Sequence, residues 1–186
     1  MVSGVALMAI RTLALSDRNI ILTGYTGPNQ PQIGRRIASR MQMRYLNVER
    51  EIEDRSGTSI NEIRALYGES RLKTLEAEVV QEALLYRSAV IRVSGQTLLH
   101  ANHYERLGET GPVICLVASL DAVLQSLHLA LGGRYHNPNE RALSLGHLKR
   151  EWAVRKLPGL YEIDTTYMPE DDVIEAVIGV WQQVVI

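Results

Sequence analysis

Short β-branched runs alternate along the chain with longer stretches in which apolar residues recur every three or four positions, and this alternation predicts an α/β protein. Asn19 to Thr23 (NIILT) reads as a strand ending at Gly24, while residues 33–43 set Ile33, Ile37, Ala38 and Met41 on one helical face with arginines opposite. RYLNV is a second short strand. EREIEDRSG, with carboxylates and arginines three and four residues apart, reads as a solvated helix that stops at Gly57; Ser59 and Glu62 then form a capping box for the next helix. SRLKTLEAEVVQEALLYR is a long amphipathic helix, and AVIRVSG and PVICLVA are apolar runs each followed by a helical segment. LYEIDTTYM reads as the last strand. The closing helix, EDDVIEAVIGVWQQVV, has an acidic first turn that suits the helix dipole. Its residues Val173, Ile174, Val177, Ile178, Trp181 and Val185 form a packing face, from which Trp181 and the final VVI could also meet a second subunit. The expected architecture is a parallel sheet with helices on both faces.

At 186 residues the chain fits one domain, expected over residues 19–186, and a formal charge of -1 supplies no basic field for nucleic acid or anionic lipid. A small-molecule ligand or a protein partner is the expected company. The single cysteine, Cys115, lies in an apolar run, and no Cys-x-x-Cys pair exists for zinc, so no metal site and a reducing, cytoplasmic setting are expected. Residues 1–18 are mildly apolar but carry Arg11 and are too short and broken to span a bilayer; they are expected to pack on the domain as an extension, with Met8 an alternative start to Met1. Residues 132–150 are polar, with glycines and a proline, and read as a mobile lid.

The candidate chemistry begins at NIILTGYTGPNQPQIGRRIA, which has the outline of a strand, a glycine-bearing loop and a helix, as a phosphate-binding loop does. Together with EIEDRSGTSINEIRALYGES, LEAEVV, VIRVSG and RKLPGLYE, in that order and spacing, this stretch resembles the shikimate kinase family of P-loop small-molecule kinases, over residues 19–186. The resemblance implies a three-layer P-loop kinase-like fold: a central parallel sheet flanked by helices, a substrate-binding helical portion after the second strand, and a lid over the nucleotide.

Position by position, the resemblance also implies a loss. The family's Gly-x-x-Gly-x-Gly-Lys-[Ser/Thr]-[Ser/Thr] becomes Gly24 and Gly27, retained, followed by Pro28, Asn29, Gln30, Pro31 and Gln32. Gln30 has no charge to balance the phosphates, Pro31 has no hydroxyl for Mg2+, and the two prolines each remove an N–H from the phosphate cradle. Asn47 and Glu49 stand where the family has an Asp-x-Asp pair for metal and substrate hydroxyls. Lys73 stands where an arginine grips the substrate carboxylate, with Arg71 the alternative register, and Ser94-Gly95-Gln96 replaces three glycines that leave room for substrate. Arg141 resembles a lid arginine. Arg155 resembles a second carboxylate-binding arginine, and pairing with Glu151 or Glu162 is the equal alternative.

These substitutions predict a pseudokinase: a ligand- or protein-binding module with a degenerate Walker A loop and no cofactor, oligomeric or not. The alternative is an active kinase using ATP and Mg2+, with Glu49 orienting the acceptor and Arg141 replacing the lysine. A purely structural subunit is the third reading. Elsewhere the bland readings are preferred: Lys73 and Glu76 as a surface helix pair, His100 and His103 as solvated, and Glu49, Glu51, Glu53 and Asp54 as a favourable acidic helix start.

Overall fold

A computed structural model describes residues 17–25 and 30–185. Five strands form one parallel sheet in the order β2-β3-β1-β4-β5: β1 Ile20–Gly24, β2 Arg44–Asn47, β3 Ala89–Arg92, β4 Val113–Val117 and β5 Tyr161–Asp164. Helices connect successive strands, as parallel pairing requires. They are α1 Gln30–Met41, α2 Val48–Ser56, α3 Ile60–Ala83, α4 Gly95–Leu99, α5 His103–Thr110, α6 Leu120–Leu131, α7 Pro138–Trp152 and α8 Glu170–Val185.

The pleat divides each apolar strand between two cores. Ile20, Leu22, Val90, Ile114 and Leu116 pack beneath α1 and α8, whereas Ile21, Ala89, Ile91, Val113, Cys115 and Val117 pack with residues of α2, α3 and α5 on the other face. Both faces are therefore covered, which is why β1, β3 and β4 are buried throughout. The expected packing face of α8 is present: Val173, Ile174, Val177, Ile178 and Trp181 are buried, and Val185 is partly buried against them.

Local signals hold as well. Asn47 caps α2 by accepting the Arg50 N–H at 3.2 Å, Gly57 ends that helix in the left-handed conformation, and Ser59 with Glu62 forms the capping box of α3. Within α3 the chain breaks helical geometry at Gly68, with φ 82°, so the long amphipathic segment is a separate rod from its capped first turns. The segment expected as a lid is helical for most of its length: a 3-10 turn at Gly132–His136 leads into α7, whose N-cap is Asn137 and whose first residue is Pro138. Most of the expected N-terminal extension, Met8 included, lies outside the described residues. Among those described, no helix is long and apolar enough to cross a membrane.

Candidate functional site

At the carboxyl ends of β2 and β3 the sheet opens into a cavity of about 350 Å3, covered by the C-terminal half of α7. This is where an open parallel sheet places its ligands, because the strand ends diverge and the following loops rise on either side. β2 delivers Asn47 and, at the start of α2, Glu49. β3 delivers Arg92, whose Cα partner across the ladder is Asn47, followed by Ser94, Gly95 and Gln96.

Arg92 is the buried centre of this arrangement. A single charge in an otherwise apolar strand, it is 4% exposed and donates to Glu49 Oε2 at 3.0 Å. Its Nε is buried with no hydrogen-bond partner among the described residues. Glu151, from the end of α7, is 2% exposed and accepts the Gly95 N–H at 2.7 Å. Gly95 is required there, since a Cβ at that position would lie 2.3 Å from the Glu151 carbonyl oxygen. Burial, and then the neighbouring Glu49 charge, push the Glu151 carboxyl up to about 7, against the opposing pull of Arg92 and the Gly95 N–H. His147, one turn earlier on α7, is held below its ordinary range first by burial.

The same helix end is anchored to the loop after β1. Trp152 Nε1 donates to the Tyr25 carbonyl at 3.2 Å, and the His147 ring meets the Tyr25 ring edge-on at 5.0 Å. On the α3 side, Arg64 donates to Glu69 at 2.8 Å and to Gln96 at 3.2 Å, and Gln96 returns a bond to Glu69. Glu76, 4% exposed, accepts from Thr97 at 2.9 Å and contacts His100 Nδ1 at 2.5 Å.

Several expected site residues fall on this cavity: Asn47, Glu49, Ser94 and Gln96 line it, and Gly95, between the last two, donates its N–H to the lining residue Glu151. Others do not. Lys73 is exposed on α3 and absent from the cavity, and Glu76, expected as its surface partner, is instead buried on Thr97 and His100. Arg155 pairs with Glu162 at 2.8 Å and is not among the residues lining the cavity. Arg141 is exposed on α7, its guanidinium 5.8 Å from the Tyr135 ring centroid. His103, expected to be solvated, is 4% exposed and bonded to the Thr97 carbonyl at 2.9 Å, because it packs inward where α5 begins. Gly24 ends β1, and Gln32 is exposed on α1. Gly27 and Asn29 lie outside the described residues, as do the side chains of Gln30 and Pro31.

Sequence reasoning missed Arg92, Arg35, Arg64, His147, Arg150 and Glu151. Only Arg92 left a signal, as the lone charge in AVIRV. Among the described residues no group of three or more His, Cys, Asp or Glu side chains is placed to hold a metal ion.

Comparison with known proteins places this geometry. A family model described as shikimate kinase matches residues 31–179. A shikimate kinase from Thermodesulfovibrio yellowstonii is 27% identical over 174 residues, spanning 89% of this chain and 96% of the relative. One from Thermus thermophilus is 31% identical over 130 residues, 68% of this chain and 71% of the relative. Among solved structures, shikimate kinase from Acinetobacter baumannii in complex with shikimate superposes with a TM-score of 0.73 at 22% identity, over 93% of this chain and 97% of that one.

Proposed function

The chain belongs to the shikimate kinase family, and from that premise we propose that it is a non-catalytic member, binding a small polar ligand in the cavity beneath α7 without transferring phosphate. The observation that carries this reading is the pairing of Glu49 with the buried Arg92 at 3.0 Å. Glu49 stands where the family orients the acceptor hydroxyl. A carboxylate oriented on a guanidinium is not free to turn to an acceptor hydroxyl, and its extra methylene relative to aspartate displaces the oxygens from a near-attack geometry.

The phosphate side supports the same reading. Mg2+-ATP does not fit the donor set present: Gln30 carries no charge, Pro31 no hydroxyl, and Asn47 Oδ1 is used to cap α2 at Arg50. Lys73 and Arg155, the expected carboxylate grip, stand away from the cavity.

The observation favouring an active ATP-dependent kinase is that relatives bearing that name match nearly their whole length, 96% in one case. The deciding experiment is a coupled assay of the full chain with Mg2+-ATP and shikimate, alongside calorimetric titration of each. The expected result is no turnover above background. Turnover at on the order of 1 s−1 or faster, within the ordinary enzyme range, would refute the non-catalytic reading.

A further inference from the structure

An unbroken chain of hydrogen bonds leads from the cavity wall outward through four side chains. Ser94 Oγ, at the N-cap of α4, lies 2.9 Å from Thr97 Oγ1; Thr97 donates to Glu76 Oε1 at 2.9 Å; and Glu76 Oε2 meets Nδ1 of His100, the C-cap of α4, at 2.5 Å. Ser94, Thr97 and Glu76 are each no more than 4% exposed, whereas the His100 side chain is 16% exposed. Ser94 and Glu76 both line the cavity.

The protons in this chain have only one consistent arrangement. A hydroxyl has one proton to donate and two lone pairs with which to accept. Thr97 gives its proton to the Glu76 carboxylate, so the proton between Thr97 and Ser94 belongs to Ser94. Ser94 Oγ also accepts the Thr97 N–H at 3.1 Å. Its proton and one lone pair are therefore committed, and a single lone pair is left. The direction is set from the far end, where His100 Nδ1 donates to Oε2 and leaves both carboxylate oxygens as acceptors.

We propose that Ser94 is a specificity-determining residue that can only accept at the cavity, with Thr97, Glu76 and His100 the positioning residues that keep it so. The proposal rests on the ligand-binding reading above and narrows its ligand. The group that meets this wall is a hydroxyl of a small polyhydroxylated molecule, donating to Ser94 Oγ beside the Glu76 carboxylate. A carbonyl, an ether or a fluorine at the same place would set lone pair against lone pair where water cannot intervene, and a buried group left without its partner is costly.

Neutron diffraction from a crystal of the deuterated full chain reads the direction without any ligand. The expected result is the Ser94 deuterium on the line to Thr97 Oγ1, the Thr97 deuterium on the line to Glu76 Oε1, and a deuterium on His100 Nδ1. A Thr97 deuterium pointing at Ser94 would overturn the proposal and leave the ligand-binding reading standing. The second arm is calorimetric titration of wild type, T97V and T97S with shikimate and its monodeoxyfluoro analogues, each exchanging one hydroxyl for a fluorine that cannot donate. Wild type should bind one analogue at least about tenfold more weakly than shikimate. That penalty should shrink to about threefold or less in T97V, where the Ser94 proton is released to turn, and return in T97S, which keeps the hydroxyl. Penalties that are the same in T97V as in wild type, or no binding of any probe at millimolar concentration, would overturn the role of Ser94. Turnover of Mg2+-ATP would instead remove the non-catalytic reading, and the acceptor KM for the same analogues would then decide the role of Ser94.

Discussion

Glu151 makes the docking of α7 sensitive to pH, and replacing it by glutamine isolates that effect. Its carboxyl is raised from an ordinary 4.5 to about 7, first by burial and then by Glu49, so the folded state holds a proton that the unfolded chain has released. The folded pKa lies above the unfolded one. Stability from this group is thus complete below pH 4.5, falls as pH rises, and levels off above about 7. The loss is 1.36 kcal/mol per pH unit over 2.5 units, or about 3 kcal/mol as an order of magnitude. Glutamine keeps an acceptor for the Gly95 N–H and carries no charge at any pH. E151Q should therefore match the wild type at pH 5 and exceed it at pH 8 by roughly 6–12 °C in melting temperature. His147, on the same helix and held below its ordinary range, acts in the opposite sense: its contribution is lost as pH falls below 6.5. The difference between E151Q and wild type cancels that contribution where the raw profile does not. Scanning calorimetry or urea titration at pH 5, 6, 7 and 8 reads it directly. Melting temperatures that run parallel for the two proteins across this range would refute the assignment of the proton to Glu151.

Gly24 sits at φ 91°, and a Cβ there would lie 2.1 Å from the Leu116 carbonyl oxygen, so G24A should cost at least about 3 kcal/mol in urea unfolding or abolish folding. S59A removes the hydroxyl that accepts the Glu62 N–H at 3.3 Å and should lower stability by about 1 kcal/mol, measurable as a shift in the urea midpoint at constant m-value. Cys115 is fully buried, with burial pushing its thiol up to about 12, so a thiol-specific chromogenic reagent at pH 8 should label the native chain only on the timescale of unfolding. Immediate stoichiometric labelling would show that the β4 core opens locally.

Elements governed by local chemistry were legible without coordinates. The alternation in NIILT, AVIRV and PVICLV sends successive side chains to opposite faces, so it specifies strands buried on both sides. The capping box at Ser59 and Glu62, the left-handed Gly57, and the apolar stripe of α8 need nothing beyond a few neighbouring residues. The order of these segments carried the family resemblance, and Asn47, Glu49, Ser94 and Gln96 line one cavity because each lies at or just past the end of β2 or β3.

What spacing along the chain could not supply was the choice of partners. Glu76 has Lys73 three residues away, yet it turns inward to Thr97 and His100 because α3 lies against α4. Arg92 finds Glu49 across 43 residues, and Gly95 finds Glu151 across 56. No local pattern encodes either meeting; each depends on how strand order and the return of α7 fold the chain back. Burial then changes the energetics, since a charge withdrawn from water must find a donor or hold its proton. The sequence by itself determined the strands, the helices and the inventory of charges. Tertiary packing decided which of those charges meet, setting Glu49 on Arg92 and burying Glu151 on the Gly95 N–H.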